Sequence, residues 1–131
     1  MSKQNNQKPT DAEIEILAIL WKHGVATVRE IHEEINRHRQ TAYTTTLKML
    51  QIMTEKGLVG RDETNRAHVY RARLEREATE RTFARELLQK VFGGSASQLV
   101  MRVLESKPSD ERELAEIRKI IERAERSADN K

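Results

Sequence analysis

The sequence predicts a mainly α-helical fold with one small β-hairpin. Capping-box motifs and apolar residues at helical spacing mark three short helices between residues 10 and 56. Two segments of strand-like composition with a polar turn between them follow, over residues 58–72. From residue 74 onward the composition changes to charged helix with few large apolar side chains. These observations predict a helical unit that carries a hairpin, followed by a second unit that is purely helical.

The first two helices each open at a capping box. Thr10 stands three residues before Glu13, so the threonine can accept from an early helix amide while the glutamate reaches back. Thr27 and Glu30 repeat this arrangement. Gly24 is expected to end the first helix, because glycine readily adopts the left-handed backbone of a helix C-cap. The stripes predicted to face the core are Ile14, Leu17, Ala18 and Trp21 in the first helix and Val28, Ile31 and Ile35 in the second.

The third helix carries the most informative surface of the chain. Its polar face is short, mostly uncharged and rich in hydrogen-bonding groups at its N-terminal end. A helix in the DNA major groove needs such a face, because its first turns approach the base edges. For this stretch alone, an amphipathic helix with solvated threonines is the alternative. The buried stripe is predicted as Leu47, Leu50 and Met53 or Thr54, and the polar face as Thr44, Lys48, Gln51 and Glu55, with Thr45 and Ile52 beside it.

A basic hairpin is predicted directly after the third helix. Its strands are residues 58–62 and 67–72, and the turn 63–66 contains Asn65, for which a positive φ is easy. Three short helices with tight connections followed by a hairpin are the order of a winged helix-turn-helix domain, with the third helix in the recognition position. The wing of such a domain commonly touches phosphates or the minor groove. The cations of this hairpin are Arg61, Arg66, Arg71 and Arg73.

Basic charge is concentrated on the third helix and the hairpin. The net charge of the chain is +3, but residues 36–73 hold eight Lys or Arg against three Asp or Glu, a net of +5. Residues 1–35 have a net charge of −2, and residues 74–131 have twelve charges of each sign. A nucleic-acid surface is expected to have this distribution, although a plain solvated face fits it as well.

The organisation predicted is a disordered N-terminal arm over residues 1–9, a winged-helix domain over 10–73 and a helical dimerisation domain over 74–131. The last segment is predicted to contain three short helices, interrupted at Gly93-Gly94 and Pro108 and capped by Ser95 and Ser109. This segment has too few large side chains to fill a core of its own. Two copies are therefore expected to pack against each other and complete one core. A helical cap folded onto its own winged helix is the alternative. The predicted dimerisation residues are Phe83, Leu87, Leu99, Val103, Leu114, Ile117 and Ile121, the last three forming a coiled-coil-like seam with Ala124.

Several classes of function are excluded or disfavoured. The chain has no cysteine, which removes disulfides, thiolate metal sites and cysteine nucleophiles. No apolar run approaches membrane-spanning length and the N-terminus lacks a signal-peptide core, so a soluble cytoplasmic protein is expected. His32 to Asn36 is one histidine short of the helical zinc-protease motif. No nucleophile, base and orienting group assemble, so we expect no enzyme, no metal and no cofactor.

Four runs of sequence carry a family resemblance: residues 10–21, TVREIHEEIN, AYTTTLKMLQIMTEKGLVGR and RAHVYRA. A looser similarity continues through FGGS into LVMRVLES. In this order they resemble the penicillinase-repressor and methicillin-resistance-repressor family (the BlaI/MecI type), over nearly the whole chain from Thr10. The resemblance implies a homodimeric winged-helix repressor of a pseudo-palindromic promoter element. Carried over by position, it places Tyr43, Thr44, Thr45 and Lys48 at the groove and Arg66 on the wing.

Two departures from the family pattern concern induction. Antibiotic-responsive members are cleaved at an Asn-Phe bond in the C-terminal helical region, and Arg102-Val103 stands at that position here. Induction by the same protease is therefore not expected, and any inactivating protease is unidentified. Copper-responsive relatives carry Cys-x-Cys pairs, so the absence of cysteine excludes copper sensing by thiolates.

The function predicted is sequence-specific repression of transcription, in which a homodimer covers a double-stranded DNA operator and blocks polymerase. The rival prediction is a winged-helix protein-interaction scaffold without DNA binding, which would more often expose apolar residues on the third helix and wing. The predicted DNA contacts are Thr44, Thr45 and Lys48 at or beside base edges, Arg39 and Tyr43 on the backbone near the helix start, and Arg61 and Arg66 on phosphates.

Overall fold

The computed structural model describes residues 8–64 and 66–130. Residues 1–7 of the predicted N-terminal arm, Asn65 of the predicted turn, and Lys131 lie outside the described residues. The fold is mostly helical with a small antiparallel sheet, as predicted. Its elements are α1 (Asp11–His23), β1 (Ala26–Thr27), α2 (Val28–Asn36), α3 (Tyr43–Lys56), β2 (Val59–Asp62), β3 (Val69–Ala72), α4 (Arg76–Lys90), α5 (Ala96–Ser106) and α6 (Glu111–Asp129).

The chain forms two compact units, of which the first ends at Thr82 and the second begins at Phe83. The division lies inside α4. The segment after β3 belongs to the first unit, because the Trp21 indole Nε1 donates to the Leu74 carbonyl at 2.9 Å and Thr79 is buried. No helix in the described part of the chain is long and apolar enough to cross a membrane.

Local capping contacts begin α1 and α2 where the sequence predicts. In the first box, the Thr10 hydroxyl accepts from the Glu13 amide at 3.2 Å and the Glu13 carboxylate accepts from the Thr10 amide at 2.9 Å. The second box has the same pair of bonds. At α6 the prediction is wrong by one residue, since Asp110 rather than Ser109 caps the helix and accepts from the Glu113 amide at 2.8 Å. A carboxylate is a strong N-cap acceptor, and only Asp110 stands at the required position.

The core of the first unit differs from the predicted stripes on α1 and α3. Ala18 is exposed, whereas Ile16, Ile19 and Leu20 are buried beside Leu17. The apolar arc of α1 is wide because the helix packs against both α2 and β3. On α3 the buried positions are Thr46, Leu50 and Met53, and Leu47 is only half-buried. The other core residues are Ala26, Ile31, Ile35, Leu58, Val59 and Tyr70.

The wing is part of a three-stranded sheet rather than a simple hairpin. The strand order is β1-β3-β2, and both pairings are antiparallel. The sequence predicts only the two strands of the hairpin, but β1 pairs Ala26 with Tyr70 as a third strand. Two residues are too few to show alternation in a sequence, so this third strand has no local signal. Its pairing fixes the base of the wing against the start of α2.

The second unit has no sealed core. Among residues 83–130 no side chain is fully buried. Large apolar side chains on all three helices are exposed, including Val103 at 55% and Ile121 at 49%. The others on these helices are Leu87, Val100, Met101 and Ile120, and Val91 is exposed directly after α4.

Candidate nucleic-acid interface

Helix α3 presents one polar face to solvent. Thr46, Leu50 and Met53 are buried against the rest of the unit, which leaves the opposite side of the helix uncovered. Four residues predicted to meet DNA are exposed on the first turns, namely Tyr43, Thr44, Thr45 and Lys48. Within the described residues Lys48 makes no ion pair, so its ammonium group is available to an external anion.

A buried ion pair holds the C-terminal end of α3. The Lys56 Nζ lies 3.0 and 2.9 Å from the two carboxylate oxygens of Glu13, which is 3% exposed. Burial raises the pKa of Glu13, but hydrogen bonds from Lys56 and from Thr10 outweigh it and leave that pKa below its ordinary value. Glu13 therefore serves both the capping box of α1 and the attachment of the recognition helix.

A chain of polar contacts from α2 holds the N-terminal end of α3. The Thr41 amide donates to the Asn36 Oδ1 at 2.8 Å, and the Asn36 Nδ2 lies 2.8 Å from the His32 Nε2. The other ring nitrogen of His32 lies 3.2 Å from the Thr46 hydroxyl. The Tyr43 ring meets the His32 ring edge to face, with centroids 5.3 Å apart and planes at 78°.

The turn between α2 and α3 is basic, but its arginines are engaged within the protein. The Arg39 Nη2 lies 2.7 Å from the Glu15 carboxylate, and its Nη1 donates to the Thr41 hydroxyl at 3.0 Å. Arg37 pairs with Glu34 at 2.8 Å. Because the Arg39 side chain is still half-exposed, it can present part of its guanidinium to a phosphate while Glu15 orients it.

The two wing arginines predicted to bind phosphates differ in their surroundings. Arg61 forms a close ion pair with Glu63, and hydrogen bonding to the Tyr70 side chain raises the pKa of Arg61 further above its ordinary value. Arg66 is exposed, and within residues 8–64 and 66–130 it has no ion-pair partner. The charge of Arg61 is therefore partly neutralised in the free protein, whereas that of Arg66 is not.

The turn of the wing is ordered by Asp62. Its carboxylate accepts from the Thr64 amide at 2.9 Å and from the Thr64 hydroxyl at 2.8 Å. These bonds lower the pKa of Asp62, so the carboxylate stays ionised to a lower pH than an ordinary aspartate. An aspartate that bonds two residues ahead is a recognised turn device, and its signal is present in the sequence.

The contacts of His32, Asn36, Thr41 and Thr46 are not predicted from the sequence. In the sequence, His32 and Asn36 form only an incomplete zinc-protease motif. The same spacing of four residues on a helix instead brings the asparagine amide onto the imidazole. Among the residues that the structure describes, no three His, Asp or Glu side chains are grouped so that they could hold a metal ion.

A three-helix unit with an exposed third helix and a β-wing is a winged helix-turn-helix domain. Its polar helix face, which includes Lys48, is the surface that such domains turn towards DNA. The protein is therefore a winged-helix protein of the DNA-binding class.

Comparison with known proteins identifies the family. The penicillinase repressor family model matches residues 9–123, and the chain belongs to this family of transcriptional repressors. The penicillinase repressor of Bacillus licheniformis is 23% identical over 113 residues, which cover 86% of this chain and 88% of that protein. The methicillin resistance regulatory protein MecI of Mammaliicoccus sciuri is 25% identical over 112 residues, covering 86% and 91%.

A solved structure of a DNA-binding domain supports the same assignment. The solution structure of the DNA-binding domain of the repressor BlaI matches 58% of this chain and 90% of that domain, with a TM-score of 0.50 and 25% identity. The resemblance inferred from the sequence is confirmed, and so is the prediction of a DNA-binding repressor.

Proposed function

We propose that this repressor binds an inverted-repeat operator as a homodimer in the cytoplasm, without catalytic activity, and acts by covering the promoter. The observation that carries the proposal is the uncovered polar face of α3, held at both ends by contacts to α1 and α2. A rigid helix whose first turns are solvent-exposed is what major-groove recognition needs.

The side chains on this face divide by chemistry. Thr44 and Thr45 carry hydroxyls that can donate or accept at base edges, and Lys48 can reach a guanine or a flanking phosphate. Tyr43 lies at the helix start, where a phenol can bond the backbone. On the wing, Arg66 is the phosphate contact. Arg61 on the wing and Arg39 in the turn before α3 each hold a carboxylate, so they bind a phosphate only beside that carboxylate or in place of it.

The second unit supports the proposed homodimer. Its three helices leave apolar side chains exposed on a chain that is otherwise highly charged. Leu114, Ile117 and Ile121 follow the spacing of a coiled-coil seam on α6. A second copy of the same chain offers a matching apolar surface, and two-fold symmetry presents two recognition helices to an inverted repeat. The other proposed dimerisation residues are Phe83, Leu87, Leu99 and Val103.

Selection from a random duplex pool tests the proposed function directly. Full-length protein is expected to enrich an inverted repeat whose half-sites lie about one helical turn apart or a multiple of it. Binding should weaken steeply as salt rises, because phosphate contacts release counterions. Failure to retain any duplex at low salt would instead favour the scaffold function.

Two substitutions separate base reading from phosphate binding. Thr45→Ala is expected to cost about 1–3 kcal/mol on the selected duplex and little on a scrambled one, so sequence preference falls while the salt dependence stays nearly unchanged. Arg66→Ala is expected to weaken both duplexes and to reduce the salt slope by about two units in a dimer, one for each wing. Titrations of both variants at several salt concentrations measure these quantities.

A matched control is Arg118→Ala, which removes the same charge from an exposed position on α6. It is expected to leave preference and slope unchanged. If Arg66→Ala left the slope at its original value, the wing would not be a phosphate contact in this protein.

Resistance to the family's inactivating cleavage is a further expectation. Arg102 and Val103 lie inside α5, where Arg102 pairs with Glu105 at 2.9 Å. A protease specific for an Asn-Phe bond finds neither residue here, and helical backbone is a poor substrate compared with a loop. Mass mapping after incubation with such a protease should show no fragment ending at Arg102.

The double variant Arg102→Asn with Val103→Phe provides the positive control, since it restores the missing pair in the same helix. Cleavage of that variant alone would assign resistance to the dipeptide. Cleavage of the unaltered chain after Arg102 would show that the helix, and not the dipeptide, determines specificity.

A further inference from the structure

The recognition helix begins without a side-chain cap. Ala42 occupies the N-cap position and makes no side-chain hydrogen bond. Serine, threonine, aspartate or asparagine at this position would satisfy a first-turn amide, and their absence ordinarily allows the first turn to fray. The first turn is nevertheless the part that carries Tyr43, Thr44 and Thr45. Some other contact must fix it if these side chains are to meet bases in one geometry.

The neighbouring helix α2 supplies that contact through an ordered series of hydrogen bonds. The Thr41 amide can only donate, so the Asn36 atom that it meets at 2.8 Å is the amide oxygen, and the Asn36 nitrogen faces His32. That nitrogen lies 2.8 Å from Nε2 and 3.5 Å from Nδ1. Nε2 is therefore the acceptor and carries no proton. The imidazole proton is on Nδ1, which donates to the Thr46 hydroxyl at 3.2 Å.

His32 meets α3 at two points one turn apart. Thr46 is 1% exposed, so the histidine bonds a hydroxyl that is fixed in the core. The Tyr43 side chain is 47% exposed, and its ring is held edge to face by the same imidazole. The histidine thus connects an immobile buried residue to a half-exposed side chain at the DNA-facing end of the helix.

We propose that His32 is a positioning residue for operator recognition, which holds the Tyr43 ring and the first turn of α3 in the DNA-binding geometry. The inference rests on the proposed function and names a residue that does not itself touch DNA. A side chain ordered before binding loses less conformational entropy on binding than a free one. His32→Ala should therefore lower operator affinity through Tyr43 and not through any lost contact with the duplex.

The donor and acceptor roles of the two His32 ring nitrogens can be tested on the protein without DNA. Long-range proton–nitrogen NMR spectra of the full chain at neutral pH distinguish the two neutral imidazole tautomers of His32. The expected spectrum shows the Nδ1-protonated form, with Nε2 at the shift of an unprotonated acceptor. An Nε2-protonated imidazole would contradict the hydrogen-bond network and overturn the proposal, regardless of the affinity measured for DNA.

A double-mutant cycle tests the coupling to Tyr43. On the duplex selected by unaltered protein, His32→Ala is expected to weaken binding about 10-fold, equivalent to about 1.4 kcal/mol. In a Tyr43→Ala background the same change should weaken binding less than about 2-fold, because the ring that His32 positions is gone. Equal losses in both backgrounds would overturn the proposal, since His32 would then act on the fold in general.

Two controls separate the possible failures. His23→Ala removes an exposed histidine at the end of α1 and should leave affinity unchanged. Thermal unfolding of each variant identifies any loss that comes from unfolded protein. If unaltered protein selects no duplex, the proposed function fails. If it selects one and the cycle is additive, only the role of His32 fails.

Discussion

Replacing Lys56 with methionine is expected to lower the free energy of unfolding of the first unit by about 3 kcal/mol. The reason is that Glu13, at 3% exposure, would keep its charge in the protein interior without the ammonium group that now lies 2.9 Å away. Removing one partner of a buried pair leaves an uncompensated charge. Urea unfolding followed by the fluorescence of Trp21, the single tryptophan, measures the change.

Two companion variants show whether the lost pair is the cause. In a Glu13→Gln background, Lys56→Met is expected to cost less than about 1 kcal/mol, because no buried charge remains to be stranded. Arg37→Met removes a cation that is 70% exposed from its pair with Glu34, whose side chain is 15% exposed, and should cost less than Lys56→Met. Equal losses for Lys56→Met in both Glu13 backgrounds would contradict the assignment.

The same pair sets a dependence on pH. Because its pKa in the folded protein is below the ordinary value of 4.5, Glu13 stabilises the fold above pH 4.5 and loses that contribution as pH falls through the folded pKa. Without Lys56, only the hydrogen bonds from Thr10 still oppose the effect of burial, so the pKa of Glu13 rises and the carboxyl accepts a proton at a higher pH than in the unaltered protein. The difference in stability between unaltered protein and Lys56→Met should therefore be largest at neutral pH and shrink below pH 4.5.

Replacing Ile121 with aspartate is expected to convert the proposed dimer to a monomer at micromolar concentration and to reduce operator affinity by about 100-fold or more. Ile121 lies on the α6 seam and is 49% exposed in the single chain, which leaves it available to a second copy. A carboxylate buried in an apolar interface would have no partner. With two linked recognition helices reduced to one, the avidity of two-site binding is lost.

Sedimentation velocity and titration on the selected duplex measure the two effects together. The control is Lys119→Asp, which places the same side chain elsewhere on α6 and breaks only an exposed contact to Glu116. It should remain dimeric. A dimeric Ile121→Asp would place the interface elsewhere, and a full-length protein that is monomeric before any substitution would remove the homodimer from the proposed function.

The sequence by itself determined where α1 and α2 begin, the fold class and the family. Thr10 with Glu13, and Thr27 with Glu30, cap helices through bonds that span three residues, so the entire interaction is contained in a short stretch of sequence. The sequence also shows directly the order of helices and wing and the basic charge of residues 36–73. They predict that the chain binds DNA and which helix faces it.

Only the tertiary structure decided which side chains on that surface are free. Arg61 and Arg66 are both predicted phosphate contacts, yet Glu63 partly neutralises Arg61, and Arg39 is similarly engaged by Glu15 on α1. The pairing of Ala26 with Tyr70, and the attachment of Lys56 to Glu13, join segments that are distant along the chain. Such contacts leave no local pattern, because a side chain's partner across the fold is set by packing and not by its sequence neighbours.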